Sequence, residues 1–361
     1  MKIGIIGFID KNKLPYIEYY ERVLRKENVK YESIFWDRFN NQKTEKINNE
    51  YIIHIKCVPG ESKLKKIFPM YQFKNEIQKI ISREKYTHLI VLTTLPGILI
   101  CKTLLKNFEN KYILDIRDYT YENFNFYKNL VDKLVEHSFF TAISSKGFLK
   151  FLNHNKKIVP CHNISNFEMQ KEDCDDLRKK EQLTIGFVGG VRYYKENCKL
   201  IEAFANNPKY LLAYIGEPNI DCNLEEFCSK RKIKNVYFSG KFKNSDKPKI
   251  YEKIDLINAV YGNESLEVTT ALPNRLYDGL LFKKPIIATK GTYLAEILES
   301  KKLGITIDIN SENLVEKLDN FINNFDIKKF KKLSIECLNN ILIEQDKYEK
   351  YIKMFVKQEK I

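Results

Sequence analysis

The sequence predicts an α/β protein with two doubly wound, Rossmann-like domains in tandem, each built on a parallel sheet. Short runs rich in Ile, Val, Leu and Phe alternate with longer amphipathic stretches, as buried parallel strands alternate with their crossover helices. This pattern occurs twice, with a charged, less hydrophobic segment between the two halves. The chain has 361 residues, which is more than one ordinary core accommodates.

The first half is predicted to form an N-terminal domain over residues 1–166. Its strand candidates are KIGIIGF (2–8), YESIFW (31–36), YIIHI (51–55), HLIVLT (88–93), YILDI (112–116), FFTAIS (139–144) and KIV (157–159). Helices are predicted between these strands. The charged residues 167–182 then interrupt the alternation of strands and helices and indicate a linker.

The second half is predicted to form a C-terminal domain over residues 183–343. Its strand candidates are LTIGFVG (183–189), YLLAYIG (210–216), NVYFSG (235–240), DLINAV (255–260), PIIAT (285–289) and GITIDI (304–309). After residue 311 the pattern is helical. The last segment, 344–361, is predicted to pack back toward the N-terminal domain.

Composition and charge restrict the class of protein. The net charge is +14, and residues 1–170 carry most of it, with 28 basic and 18 acidic residues. Basic clusters of this kind are compatible with an anionic membrane surface, a nucleic acid or a phosphorylated ligand, and a solvated lysine-rich surface is the simpler interpretation. We find no nucleic-acid-binding motif, no apolar run that could span a membrane, and no CxxC among the eight cysteines. Reduced thiols and no structural metal are therefore expected.

The first loop of the second domain has the residues of an anion site. Gly189 and Gly190 follow a strand and precede a helix, so that backbone can approach a ligand closely. Arg192 and Lys195 supply cations just beyond. The spacing matches neither GxGxxG nor a P-loop, and an ordinary turn is the alternative interpretation.

A second anion-favouring loop is predicted at residues 273–282, where a helix begins with Pro273. Proline suits a first helical turn because its missing N–H is not needed there. Asn274 and Arg275 then lie among unpaired N–H groups that favour a phosphate. Asp278, one turn further, is placed to accept two hydrogen bonds from vicinal hydroxyls. An ordinary helix cap is the alternative.

Together, GFVGGVRYYKENCKLIEAF and LPNRLYDGLLFKKPIIAT resemble the donor-binding half of retaining GT-B glycosyltransferases of glycosyltransferase family 4, particularly bacterial capsule and cell-surface polysaccharide enzymes. The order of elements fits over most of the chain. The resemblance implies a GT-B fold whose two domains face a central cleft. It also implies a hexosyltransferase that retains the configuration of the anomeric carbon.

The same resemblance implies roles for individual donor-side residues. Arg192 and Lys195 would neutralise the donor diphosphate as negative charge builds on the leaving group, so that no metal cofactor is required. Asp278 would take the place of the family's ribose-binding Glu. Peptide groups near Ala271, Leu272 and Pro273 would face the phosphates or the sugar, although Pro273 itself has no N–H to donate.

Two departures from the family pattern concern carboxylates. The first Glu of the family's Glu-x7-Glu pair corresponds to Thr270, and the second is an Asp. Thr270 is kept as a donor-site position. Glu267, in the same loop, is the candidate that could supply the missing acid, as is Glu264.

In the first domain, the loops after strands give the acceptor-side candidates. Gly7, Phe8 and Asp10 follow the first strand and are expected to face the cleft. Asp118 is the candidate base for the acceptor hydroxyl and Arg117 a candidate clamp. A structural ion pair at the strand end is the alternative for both.

The resulting prediction is a glycosyltransferase that moves a sugar from a nucleotide-diphosphate sugar to a hydroxyl of a saccharide or lipid-linked acceptor in surface polysaccharide synthesis. We expect a cytoplasmic protein, with peripheral attachment to an anionic plasma membrane as an open alternative. Nucleic acid is not an expected partner. A nucleotide-sugar-binding pseudoenzyme or partner subunit would share the fold, and a nucleotide-cofactor enzyme would use the same sheets but lacks GxGxxG.

Overall fold

The structure is a computed structural model that describes residues 1–58, 62–118, 121, 124–164, 176–219, 221–310 and 313–358. The chain divides into two compact units: unit 1 is Met1–His162 with Ile343–Ile361, and unit 2 is Asn163–Leu342. Of the predicted linker 167–182, residues 167–175 lie outside the described residues. Within it, Leu177 is buried in the core of unit 2.

In the described residues, unit 1 has an eight-stranded sheet with the order β3-β4-β2-β1-β5-β6-β7-β8. The strands are β1 (Lys2–Ile6), β2 (Lys30–Asp37), β3 (Glu45–Ile47), β4 (Glu50–His54), β5 (His88–Leu92), β6 (Tyr112–Ile116), β7 (Phe140–Ile143) and β8 (Ile158–Pro160). All neighbours pair in parallel except β3 and β4. β5 and β6 are buried along their whole length, because helices cover both faces of a parallel sheet.

The helices of unit 1 connect these strands. They are α1 (Ile17–Lys26), α2 (Lys63–Glu84), α3 (Thr94–Leu99), α4 (Cys101–Asn107) and α5 (Asn125–His137). Two apolar clusters result, one containing Trp36 and Phe73 and the other containing Tyr20 and Phe140. Each buried aromatic side chain of this kind contributes roughly 2–3 kcal/mol through removal of apolar surface from water.

Unit 2 has, in its described part, a six-stranded parallel sheet with the order β11-β10-β9-β12-β13-β14. The strands are β9 (Leu183–Val188), β10 (Tyr210–Ile215), β11 (Val236–Ser239), β12 (Leu256–Ala259), β13 (Ile286–Thr289) and β14 (Gly304–Ile307). The strand order reverses between β9 and β12, and ligands of open parallel sheets bind beyond the carboxyl ends of the strands at such a point.

The helices of unit 2 cover both faces of this sheet. They are α6 (Tyr194–Ala203), α7 (Leu224–Arg231), α8 (Lys247–Glu252), α9 (Leu266–Thr270), α10 (Asn274–Leu281), α11 (Tyr293–Lys301) and α12 (Leu314–Asn323), followed by α13 (Ile327–Lys357). The predicted fold class, two doubly wound α/β domains, is confirmed. The short helix α9 was not predicted, because its five residues fall in a segment that has the composition of a loop.

The end of α13 belongs to unit 1. Tyr348, Ile352 and Phe355 are buried in the apolar cluster that also contains Tyr20 and Phe140. The Tyr348 ring stands edge-on to Tyr20, with ring centroids 5.9 Å apart. The C-terminal segment is therefore part of the core of unit 1 and stabilises it as an internal helix does.

Glu344 attaches the same segment to the loop after β7 and to the residues after β8. Its carboxylate pairs with Lys146 and with His162, whose Nε2 lies 3.1 Å from Oε2. Burial raises the pKa of Glu344, but hydrogen bonds from His162 and Lys146 outweigh burial and lower the pKa to about 2. The ionised form is therefore the form that stabilises the fold.

We expect the contribution of Glu344 to stability to depend on pH. A carboxylate with a lowered pKa stabilises the fold fully above its unfolded pKa of 4.5 and loses that effect as the pH falls toward 2. Glu344→Gln should therefore lower the melting temperature at neutral pH, and the difference from wild type should vanish across this window. Thermal unfolding at a series of pH values measures the difference in melting temperature between the variant and wild type. Glu136→Gln, at an exposed position of α5, is the control, and an equal pH dependence of both variants would contradict the assignment.

Candidate functional site

A cavity of about 300 Å³ opens at the carboxyl edge of the unit 2 sheet, at the point where the strand order reverses. Its lining comes from the loop after β9 and from α8, α9 and α10. The lining residues are Val188, Gly189, Gly190, Arg192, Tyr193, Lys247, Tyr261, Val268, Ala271, Pro273, Asn274, Arg275 and Asp278. Most of the residues predicted for a donor site are therefore brought together by the fold.

The Gly189–Gly190 turn forms one wall of the cavity. Gly189 has φ +119°, a backbone conformation that side chains with a Cβ rarely adopt. Its N–H donates to the Ile215 carbonyl at 2.9 Å, and a Cβ on Gly216 would lie 2.0 Å from the Gly189 carbonyl oxygen. The close approach of the two loops requires glycine at position 216, whereas glycine at position 189 is required by its backbone conformation. Backbone rather than side chain therefore lines this wall.

The N-terminus of α10 forms the opposite wall. The helix runs from Asn274 to Leu281, and Pro273 is its N-cap in an extended conformation. The first N–H groups of a helix have no intrahelical acceptor and carry partial positive charge. The cavity thus has the helix start that the sequence predicted, displaced by a single residue.

Arg275 is the most unusual side chain of the cavity, because it is only 9 % exposed and has no acidic partner in the described part of the chain. Its Nη1 donates to the Tyr261 hydroxyl. Its guanidinium carbon lies 3.7 Å from the centroid of the Phe187 ring. Its Nε is buried without a hydrogen-bond partner among the described residues. A buried cation in this state is unfavourable unless an anion joins it.

Two tyrosines complete the cavity, and sequence reasoning missed both. Tyr193 has a left-handed backbone, φ +62°, which costs a non-glycine residue of order 1 kcal/mol and occurs preferentially at functional sites. Its ring centroid lies 4.8 Å from that of Tyr261. Burial is the main reason that the pKa of Tyr193 is raised. The Tyr261 N–H donates to Thr289 Oγ1 at 3.0 Å, which holds this tyrosine at the strand end.

The two predicted cations of the β9 loop occupy different surroundings. Arg192 is exposed to solvent and lines the cavity, and its carbonyl accepts a hydrogen bond of 2.7 Å from Asn197 at the start of α6. Lys195 lies in the first turn of α6, is exposed, and is not among the lining residues. Arg275 is the second arginine of the cavity.

Asp278 is buried in α10, and a neighbouring cation binds it. Lys247 Nζ lies 2.9 Å from both carboxylate oxygens, and the Tyr251 hydroxyl donates to Oδ2 at 2.9 Å. Three of about four acceptor positions of the carboxylate are thus filled. Asp278 can accept one further hydrogen bond, rather than the two that the sequence analysis predicted. Lys247 and Tyr251 are four residues apart, so both lie on one face of α8.

We expect Lys247→Met to destabilise unit 2 by about 3–5 kcal/mol, because it would leave a buried carboxylate without its cation. Lys249→Met, at an exposed position of the same helix, should change stability by less than about 0.5 kcal/mol. The double variant Lys247→Met, Asp278→Asn should recover part of the loss. Chemical denaturation measures all three. Equal stability of Lys247→Met and the Lys249 control would show that the pair contributes nothing.

The positions considered for the missing carboxylate do not provide one in the cavity. Thr270 is fully buried, and its hydroxyl donates to the Leu266 carbonyl at 2.6 Å within α9. Glu267 is exposed on α9, and Leu272 packs against the core. Among the described residues that line the cavity, Asp278 is the only acid. Thr270, Leu272 and Glu267 are not lining residues.

The predicted residues after β1 have structural contacts. A Cβ at Gly7 would lie 2.8 Å from a Leu14 methyl group, so glycine is needed for packing. The ring of Phe8 stands edge-on to that of Trp36, with centroids 5.0 Å apart. Asp10 accepts a hydrogen bond of 2.8 Å from the N–H of Asn12.

Arg117 forms a buried ion pair with Asp115. Its Nε and Nη2 lie 2.6 and 2.9 Å from the two carboxylate oxygens, and the Tyr20 hydroxyl donates to the same carboxylate at 2.7 Å. Burial lowers the pKa of Arg117, but the charge of Asp115 outweighs burial, and the pKa is raised. Arg117 therefore forms the structural ion pair that was the alternative prediction for it, and its partner is Asp115 rather than Asp118. Asp118 is exposed beyond the strand end.

Residues 169–334 match the protein family described as Glycosyl transferases group 1. The match covers the cavity, and the predicted enzyme class, glycosyltransferase, is confirmed. No curated protein matches the chain in sequence.

The whole chain is similar in fold to solved glycosyltransferases. Sucrose-phosphate synthase (tll1590) from Thermosynechococcus elongatus is 12 % identical with a TM-score of 0.69, covering 99 % of this chain and 98 % of that chain. The lipopolysaccharide outer core galactosyltransferase WaaB is 12 % identical with a TM-score of 0.67, covering 99 % of each. Anabaena Alr3699/HepE, in complex with UDP and glucose, is 13 % identical with a TM-score of 0.60, covering 99 % and 98 %. The predicted GT-B fold is confirmed, and at these identities the likeness shows the fold alone.

Two further properties concern the described residues only. The described residues include no helix of the length and apolar character needed to cross a membrane. They also include no group of three or more His, Cys, Asp or Glu side chains arranged to hold a metal ion.

Proposed function

We propose that this glycosyltransferase moves a sugar from a nucleotide-diphosphate sugar to a hydroxyl of a saccharide or lipid-linked acceptor, with retention of the anomeric configuration. The cavity of unit 2 is the proposed donor site. The observation that carries the proposal is Arg275, a buried cation that lacks an acidic partner in the described chain and lies beside a glycine turn and a helix N-terminus. A pyrophosphate supplies the anion that this arrangement lacks.

The charge of the cavity supports a diphosphate in particular. Its lining includes three cations, Arg192, Lys247 and Arg275, and one acid, Asp278. Lys247 and Asp278 neutralise each other, so the two arginines leave an excess of two positive charges. The pyrophosphate of a nucleotide sugar carries about two negative charges, and this match favours it over a neutral sugar.

The same residues have roles in the proposed reaction. As the glycosidic bond breaks, negative charge builds on the departing nucleoside diphosphate, and Arg192 and Arg275 stabilise it. The arginines thereby supply the charge that a divalent cation supplies in other enzymes, so we propose a reaction without a metal cofactor. Asp278 and Lys247 offer one acceptor and one donor to a ribose hydroxyl.

Acceptor recognition is proposed for unit 1. Asp118 is exposed beyond the carboxyl end of β6 and stays the proposed base for the acceptor hydroxyl. The role in surface polysaccharide synthesis, the retention of configuration and the cytoplasmic location are supported by the sequence resemblance to family 4 enzymes. HepE was solved with UDP and glucose, so UDP-glucose is the first donor to test.

A thermal-shift panel of UDP, GDP, dTDP and CMP, each with a matching activated sugar, tests the donor site. We expect at least one nucleoside diphosphate to raise the melting temperature, and its monophosphate to raise it less, because only the diphosphate reaches both arginines. A protein that responds to none of the diphosphates would refute the donor assignment. Release of free nucleoside diphosphate in the presence of saccharide acceptors then separates an enzyme from a binding protein without turnover.

A further inference from the structure

The first two turns of α2 in unit 1 expose an apolar face. Four large side chains on this face are between 57 % and 79 % exposed. They are Leu64, Ile67, Phe68 and Tyr71, which we call the α2 face. The spacing i, i+3, i+4 and i+7 places them together on one side of the helix. The opposite side, with Phe73 and Ile77, is buried in the core.

Lysines border the α2 face. Residues 62–75 contain four lysines and no acid. At about 100° per residue, Lys65 and Lys74 lie on opposite sides of the apolar stripe. Lys65 is exposed, and the Nζ of Lys74 lies 6.0 Å from the centroid of the Tyr71 ring. An apolar stripe that contains aromatic residues and has a lysine on each side is typical of helices that lie in a membrane interface.

We propose that the α2 face inserts into the headgroup region of a bilayer that contains anionic lipids. Four large apolar side chains exposed together and bordered by charged residues are typical of an interaction site. Lysine is depleted at the centres of protein–protein interfaces, whereas anionic lipids attract it, so the flanking lysines favour a bilayer over a protein partner. The net charge of the whole chain, +14, acts in the same direction.

A further exposed aromatic side chain with a lysine beside it follows a strand of the unit 1 sheet. Phe39, which follows the neighbouring strand β2, is also exposed, and the Nζ of Lys13 lies 5.3 Å from its ring centroid. The N–H of Cys57, shortly before α2, donates to the Arg38 carbonyl at 2.8 Å, which ties these two loops together. Both loops leave the carboxyl edge of the unit 1 sheet.

This placement has a consequence for the acceptor, which rests on the proposed function. The carboxyl edge is where parallel sheets bind ligands. A lipid-linked acceptor would present its hydroxyl to that edge directly from the bilayer on which the α2 face lies. Membrane binding itself depends only on unit 1 and stands apart from the donor site of unit 2.

Vesicle co-sedimentation of the full chain tests the inference. Vesicles of phosphatidylcholine alone are compared with vesicles that contain about 30 % phosphatidylglycerol, at low and high salt. We expect binding to the anionic vesicles to be at least about tenfold stronger, and to weaken with salt. Ile67→Asp with Phe68→Asp should reduce it at least about tenfold, and Lys65→Glu with Lys74→Glu should remove the preference for anionic lipid.

Ile343→Asp is the matched control, because Ile343 is an exposed helical residue of unit 1 that is 65 % exposed and lies outside the α2 face. It should bind vesicles as wild type does. Circular dichroism and nucleotide thermal shifts check that every variant is folded. If the aspartate variant does not fold, the lysine pair decides the question, because its substitutions lie outside the apolar stripe.

Two results would overturn the inference. One is wild-type protein that does not bind anionic vesicles at low salt. The other is a concentration-dependent dimer that the aspartate substitutions dissociate, together with vesicle binding that these substitutions leave unchanged. That result would assign the α2 face to a second copy of the chain. If the protein binds anionic vesicles but no nucleotide raises its melting temperature, the membrane inference stands and only the donor-site proposal is refuted.

Discussion

Arg275→Met is expected to weaken binding of the nucleoside diphosphate at least about tenfold and to lower turnover by a factor of about 100–1,000. The first effect follows because charge-assisted hydrogen bonds contribute about 1.5–3 kcal/mol each. The second follows because Arg275 lies where negative charge develops on the leaving group. Isothermal titration with UDP or GDP and a steady-state assay measure the two effects.

The stability of this variant separates a ligand-binding role from a structural one. Methionine removes an unpaired buried charge but also its stacking on Phe187, and these effects oppose each other, so stability should change by less than about 1 kcal/mol. Arg231→Met is the matched control, because Arg231 also stacks on a ring, that of Phe227 at 4.1 Å, but lies outside the cavity. Normal nucleotide binding together with a large loss of stability would show that Arg275 is structural.

Asp115→Asn is expected to destabilise unit 1 by about 3–5 kcal/mol, because it leaves the buried guanidinium of Arg117 without its counter-ion. Trp36 is the only tryptophan of the chain and is buried in unit 1, so its fluorescence during urea denaturation reports on this unit. The double variant Asp115→Asn, Arg117→Met should regain much of the lost stability, since the unpaired charge is then absent.

Asp118→Asn is the control for this experiment and a test of the acceptor base as well. Its side chain is exposed, so stability should change by less than about 0.5 kcal/mol. If Asp118 is the base, turnover falls while stability does not. An Asp115→Asn variant as stable as wild type would contradict the importance of the buried pair.

The sequence predicts the fold well where burial leaves a strong pattern. The wholly buried strands β5 and β6 appear as unbroken apolar runs, and their neighbours follow from the alternation with helices. The edge strand β3 was missed, because its three residues are all exposed and two of them are charged. A strand of that kind is specified by its partner and not by its own hydrophobicity.

The candidate site was predicted where its residues directly follow a strand or begin a helix. Gly189, Gly190 and Arg275 are of this kind, since parallel topology brings such positions to one edge. Lys247 was missed because it lies 31 residues before Asp278 in the chain, and only the packing of α8 against α10 brings the two together. Lys195 was predicted as a second cation of the β9 loop; it is exposed in the first turn of α6 and is not a lining residue of the cavity.

The stacking of Arg275 between rings affects the thermodynamics of ligand capture. A free arginine side chain has about 2 kcal/mol of rotamer entropy, and a flexible arginine loses this entropy when it binds an anion. Here the contacts with Phe187 and Tyr261 fix the guanidinium during folding, before any ligand arrives. The association of an anion with this preorganised charge should therefore carry a small entropic penalty at this residue.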